Sequence, residues 1–199
     1  MSKVLVITGT INSPENSRSL ELTKVFLEEY KALNPNDEIT IMDLNNEPMA
    51  EIALTNKNIG DFYTEENSFK YINQLKSMDK LIVAVPMHNL TVSGMFKNYL
   101  DHIFVPEMTF SYKQMENGIP KGLLSNLKVQ ILATAGTAEG VYPFANMKDW
   151  LVGTFKWLGT EVNTPIWLSG ADAFENMGKT KEELVEAIKE EIIAVAKTF

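Results

Sequence analysis

A doubly wound α/β fold with a five-stranded parallel sheet is predicted by three observations. Short apolar segments alternate with stretches of helical periodicity along the 199-residue chain. The segment Leu81–Pro86 (LIVAVP) contains no polar side chain, which suits a central parallel strand buried on both faces. The segment Glu38–Leu44 (EITIMDL) instead alternates apolar and polar residues, as an edge strand with one wetter face does. Strands alternating with helices of this length build βαβ units, with helices covering both faces of the sheet in three layers. An edge-like second strand beside fully apolar first and third strands gives the order 2-1-3-4-5, whose switch point lies between strands one and three.

The elements follow in order. Lys3–Thr8 (KVLVIT) is the first strand, and the helix after it carries Leu22, Phe26, Tyr30 and Leu33 on one face. After the Glu38–Leu44 strand comes a polar stretch from Asn45 to Asn67, then a helix with Phe69, Ile72 and Leu75. Leu81–Pro86 is the third strand, followed by a helix from about Thr91 to Phe104. Val129–Thr134 (VQILAT) is the fourth, with a helix from about Pro143 to Leu158. Glu161–Leu168 is the fifth. The last helix opens on Thr180-Lys181-Glu182-Glu183, a capping-box pattern, and buries Leu184, Ile188 and Ile192. No linker, repeat or low-complexity run interrupts the chain, so residues 1–199 read as one domain.

Composition narrows the function. With 18 basic and 26 acidic residues the formal charge is −8, which argues against a nucleic-acid binder. There is no cysteine, so disulfides, thiolate metal sites and cysteine nucleophiles are excluded together. The two histidines, His88 and His102, are too few for a zinc site of the usual kind, and His102 reads as a helix-face residue. No metal is expected. No apolar stretch approaches the ~20 residues of a membrane span, and no signal peptide is evident at the N-terminus. A cytoplasmic protein acting without a membrane is the expectation.

Three strand ends carry the candidate chemistry. The first loop, TGTINSPENSRS, offers hydroxyls at Thr10, Ser13, Ser17 and Ser19 before a helix N-terminus. Such a terminus binds phosphate through unpaired N–H groups and the positive end of the helix dipole, without many basic residues. The same residues serve equally well as N-caps. The second loop, Pro86-Met87-His88-Asn89-Leu90, combines apolar surface with polar groups, as a flat heteroaromatic ligand requires. The third, Thr134-Ala135-Gly136-Thr137, has small residues that let backbone approach a ligand edge. The first loop matches neither a phosphate-binding Walker motif nor a G-x-G-x-x-G fingerprint, and no G-x-S-x-G elbow is present in the chain.

With these residues in hand, the chain resembles the flavodoxin-like family of FMN-dependent NADH:quinone oxidoreductases and azoreductases over nearly its whole length. PMHNLTVSGMFKNYLD is similar to the family's P-M-[YW]-N-F-x-[IV]-[PS]-x-x-L-K-x-[YW]-[IF]-D, and MTFSY with GIPKGLL is like its T-F-x-Y…G-x-x-G-L segment. The resemblance implies that Thr10, Ser17, Arg18 and Ser19 hold FMN phosphate, with Arg18 giving chiefly its backbone N–H. It also implies that Pro86, Met87, His88, Asn89 and Leu90 line the flavin ring, with Asn89 at the reactive edge. Thr134, Ala135, Gly136 and Thr137 then approach the pyrimidine side.

NADH as donor, a quinone or azo compound as acceptor, ping-pong hydride transfer and a homodimer are likewise implied. Phe104, Phe110, Tyr112 and Trp157 are the implied walls of the dimer's sites, and Phe104, Val105, Met108 and Phe110 form the apolar cluster expected to pair. His88 stands where the family has Tyr or Trp, Leu90 where it has Phe, and TAGTAEG departs from T-x-x-G-G. His88 is a candidate proton donor to the acceptor, since its charge changes near neutral pH. A flavodoxin-type electron carrier is the alternative, and an acyl-carrier-protein phosphodiesterase a weaker one.

Overall fold

The computed structural model describes residues 1–199. Its central sheet is parallel throughout: β1 (Lys3–Thr8), β2 (Glu38–Asp43), β3 (Lys80–Pro86), β6 (Lys128–Thr134), β7 (Glu161–Val162) and β8 (Ile166–Leu168). The order along the sheet is β2-β1-β3-β6-β7, with β8 also on β6. β2 pairs only with β1, as its alternating sequence requires of an edge.

Successive residues of the inner strands point to opposite faces and are buried on both. Leu5, Ile7, Leu81, Val83, Val85, Val129 and Ile131 pack with α2 (Lys70–Ser77), α3 (Gly94–Ile103) and α4 (Met147–Trp157). Val4, Val6, Ile82, Ala84 and Leu132 pack with α1 (Arg18–Leu33), α5 (Lys181–Glu186) and α6 (Lys189–Thr198). Fully burying one of the larger side chains, such as Phe26 or Phe96, contributes about 2–3 kcal/mol.

The expected sheet of five strands holds in part, because the fifth is divided and six strands result. Pro165 brings no amide to a ladder. Around it the buried side chain of Gln130 donates to the Thr164 carbonyl at 2.9 Å and accepts from Asn163 Nδ2 at 2.8 Å. These side-chain bonds replace the rungs to β6 that are missing between β7 and β8.

A two-stranded antiparallel hairpin, β4 (Phe110–Glu116) and β5 (Ile119–Gly122), was not expected. Asn117 (φ 52°) and Gly118 (φ 79°) make its turn, the left-handed pair an Asn-Gly hairpin favours. Two helices also begin later than their periodicity implies, α3 at Gly94 and α4 at Met147. The C-terminal helix breaks at Ala187–Ile188 into α5 and α6. The capping box at Thr180 forms as read, with Thr180 Oγ1 accepting from Glu183 N and Glu183 Oε2 from Thr180 N. No helix is long and apolar enough to cross a membrane.

Candidate functional site

Register fixes where chemistry can occur. Pro86 lies beside Thr134, so β3 and β6 end level, and Thr8, the last residue of β1, lies beside Ala84 near the same edge. The loops that follow them gather on one edge, outside the carboxyl ends where open α/β sheets bind ligands.

The first loop is tied down before it reaches α1. Gly9 N donates to Ala84 O at 3.0 Å, Ser93 Oγ to Gly9 O at 2.9 Å, and Asn45 Nδ2 to Thr10 O at 2.9 Å. Ser17 then caps α1, its hydroxyl accepting from Leu20 N at 3.2 Å. Around it the hydroxyls form a chain, Thr10 Oγ1 to Ser17 Oγ at 3.2 Å and Ser17 Oγ to Ser19 Oγ at 3.1 Å. All three residues are at most 3% exposed. The amides of Arg18 and Ser19, in the first helical turn, have no intrahelical acceptor. The dipole of a 16-residue helix adds its positive end here.

The third loop is braced from behind. Ala135 N donates to Leu168 O, Asp172 N to Gly136 O at 2.8 Å, and Gly170 N to Thr137 O at 3.0 Å. The carbonyls of this loop are thereby engaged, while the amides of Gly136 and Thr137 make no hydrogen bond within the chain.

The second loop behaves differently along its length. Pro86 and Met87 are half-buried, and Met87 N donates to Thr134 O at 2.6 Å. His88 and Thr91 then exchange amide bonds at 2.7 and 3.2 Å around Asn89 (φ 46°) and Leu90 (φ 72°), a type I′ turn. Asn tolerates that conformation, whereas Leu is strained there by about 1–2 kcal/mol.

Thr10, Ser17, Arg18, Ser19, Pro86, Met87, Thr134, Ala135 and Gly136 all line one cleft of about 180 Å³. Thr137 lines a second cavity of about 220 Å³ that shares Met87 with the first. His88, Asn89 and Leu90 line neither; all three are exposed on the turn just beyond Met87. Asn12, Asn16 and Asp172 complete the cleft and were not anticipated. Asp172 follows the divided fifth strand, and only the coincidence of strand ends could have pointed to it. Arg18 gives its guanidinium to Asp172 at 2.6 Å.

Phe104, Phe110, Tyr112 and Trp157, the implied walls of the dimer's sites, pack on one another and line neither cavity. Trp157 lies 4.7 Å from Phe110 and 5.7 Å from Phe104, ring centre to ring centre, and Phe110 is 5.3 Å from Tyr112. The apolar cluster expected to be free is not wholly so. Phe110 is buried and Phe104, Val105 and Met108 are half-buried, because the chain's own core takes them up. Tyr112, Tyr142, Phe144, Trp150 and Phe174 are the exposed aromatics instead, at 61%, 45%, 75%, 39% and 88%. His102 is fully buried, stacked on Phe62 at 3.8 Å and hydrogen-bonded to Ile52 O and Ser68 Oγ. Burial pushes its pKa below the usual histidine value, against the opposing pull of the Ile52 and Met49 carbonyls.

Residues 2–193 match the flavodoxin-like fold family. The chain is 45% identical to FMN-dependent NADH:quinone oxidoreductase 1 of Mesoplasma florum and 42% identical to an FMN-dependent NADH:quinone oxidoreductase of Mycoplasma mycoides, over the full length of each chain. Among solved structures, an azoreductase from Bacillus anthracis superposes with a TM-score of 0.80 at 26% identity over the whole of both chains. An FMN-dependent NADH-azoreductase of that species in complex with FMN shares the fold at a TM-score of 0.74 and 21% identity, over 100% of this chain and 99% of that one. The chain belongs to the flavodoxin-like fold family and, within it, to the FMN-dependent NADH:quinone oxidoreductases.

Proposed function

We propose that this protein is an FMN-dependent oxidoreductase that takes reducing equivalents from NADH and delivers them to quinones and azo compounds, the activities its relatives are named for. One observation carries the reading: the buried hydroxyl chain Thr10–Ser17–Ser19, with open first-turn amides, in the same cleft as Met87 and Gly136. A phosphate monoester needs several converging donors, and the helix N-terminus supplies them although the chain is acidic overall. The cleft offers hydroxyls and amides at one end and apolar surface with free amides at the other, a polarity that fits FMN.

When bound, FMN supplies hydride acceptance from NADH and hydride delivery to the acceptor. The chain's own residues position it. Thr10, Ser17 and Ser19, with the amides of Arg18 and Ser19, hold the phosphate. Pro86 and Met87 support the ring, and the amides of Gly136 and Thr137 are the free donors for its carbonyl oxygens, beside Thr134 and Ala135. The exposed turn of His88, Asn89 and Leu90 forms the rim, where the Asn89 amide orients the reacting edge and His88 delivers a proton to the reduced acceptor.

NADH is the donor, the one its relatives are named for. We count the divided edge as one strand, giving a 2-1-3-4-5 winding in a single domain. The protein works in the cytoplasm as a homodimer, whose contact surface includes Tyr112, Phe144 and Trp150. Donor and acceptor use one pocket in turn. Initial rates with both varied should therefore give parallel double-reciprocal lines; intersecting lines would contradict a shared pocket.

A further inference from the structure

Arg18 and Asp172 join the first turn of α1 to the loop after β8 through an ion pair of 2.6 Å. Their side chains are 36% and 65% exposed, and exposed pairs add little stability. The placing of this pair therefore calls for another account. Both residues line the cleft, and they are its only charged members.

Asp172 is held in place by its own amide on Gly136 O at 2.8 Å, and by the neighbouring Ala171 amide on Ala135 O at 3.2 Å. Its carboxylate then lies against the Gly136 backbone. A Cβ at Gly136 would stand 2.1 Å from Asp172 Oδ2, so any side chain there expels the carboxylate. The pair thus bridges the anion-binding end of the cleft, through Arg18, and the ring-facing end, through Gly136.

A ligand lying between those ends needs acceptors for hydroxyl groups in its middle. A ribityl chain carries only hydroxyls there, and each loses water on entering the cleft. A carboxylate is an acceptor only, able to take several such bonds. Its charge would repel a nearby phosphate unless neutralised, and Arg18 neutralises it. We infer that Asp172, oriented by Arg18, accepts hydrogen bonds from the ribityl hydroxyls and so selects flavins that carry the polyol chain. This deepens the FMN reading above and rests on it.

The test is flavin binding to the full chain, stripped of bound flavin and followed by quenching of flavin fluorescence. Three probes are compared: FMN, riboflavin, and lumiflavin, which has the ring and no polyol. Asp172→Ala should weaken FMN and riboflavin alike by about tenfold or more, the worth of a charge-assisted hydrogen bond, and leave lumiflavin unchanged. Arg18→Gln leaves the carboxylate uncompensated and should weaken FMN more than riboflavin, because only FMN carries the phosphate.

Unchanged or tighter FMN binding by Asp172→Ala, with lumiflavin still bound, would overturn this inference alone. An equal loss of all three probes would also overturn it, since Asp172 would then only support the fold of the loop. Wild-type protein that binds no flavin at all would overturn the cofactor reading and this one with it.

Discussion

Ser17 has two roles that substitution can separate. Its hydroxyl caps α1 through Leu20 N at 3.2 Å and links the hydroxyls of Thr10 and Ser19. Ser17→Ala removes the cap, which costs about 1 kcal/mol, leaves the buried Ser19 hydroxyl without a partner and takes one bond from Thr10, whose Oγ1 still accepts from Asn12 N at 3.2 Å, a further loss of about 1 kcal/mol in all. The sum of about 2 kcal/mol lowers Tm by roughly 4–8 °C for a domain near this size. On the proposed phosphate assignment, Ser17→Ala should also weaken FMN by about tenfold or more, through one lost hydrogen bond.

Asp caps helices as well as Ser does. Ser17→Asp should therefore keep Tm within a few degrees of wild type, yet set a carboxylate against the phosphate and purify colourless. Differential scanning calorimetry reports the first effect, and the flavin-to-protein absorbance ratio of freshly purified protein the second. A fully yellow Ser17→Asp protein would refute the phosphate assignment. A colourless one that has also lost its fold would leave only the capping role in view, and Ser17→Ala binding data then decide.

Three further outcomes are expected. Asn89→Gly keeps the positive φ of the turn and should retain FMN, yet slow flavin reduction by NADH on the order of tenfold, through lost orientation of the reacting edge; stopped-flow absorbance of a fully loaded variant with an unchanged rate would remove Asn89 from the site. His102 titrates below its unfolded value of about 6.5, so the unfolded state binds more protons there and stability falls as pH drops below about 6.5. Denaturant midpoints between about pH 7 and 5 should show that slope in wild type and lose part of it in His102→Gln, and equal slopes would contradict a neutral buried imidazole. Light scattering should give about twice the 22.4 kDa chain mass, whereas a 22.4 kDa species with full turnover would defeat the homodimer.

The sheet was legible because its strands are written in short apolar runs. VLVIT and LIVAVP admit no other burial, and EITIMDL shows its wet face. The loops at the strand ends were legible too, since Thr10, Ser17, Ser19, Met87 and Gly136 all reach one cleft. What escaped notice depends on contacts far apart in the chain. Arg18 meets Asp172 across 154 positions, and no local pattern announces that pairing. The break at Pro165 is stabilised by Gln130 from another strand, so Glu161–Leu168 read as one strand.

The hairpin over residues 110–122 does have a local signal. Asn117-Gly118 between FSYKQME and IPKG is a local turn signal, and it was readable. The late start of α3 has a local cause as well. Leu90 is a poor residue for a type I′ turn, so sequence alone gives no hint of one there. His102 read as a helix-face residue because its burial depends on Phe62 and Ile52, in a stretch that has no periodicity of its own.

We propose that the cleft at the ends of β1, β3 and β6 holds a flavin that NADH reduces. The most direct measurement is the visible spectrum of the purified protein before and after anaerobic addition of NADH, followed by a quinone. The flavin band should be present at about one per chain, bleached by NADH and restored by the quinone, with Ser17→Asp showing no band. A wild-type protein without flavin, or with a flavin that NADH leaves oxidised, would contradict it.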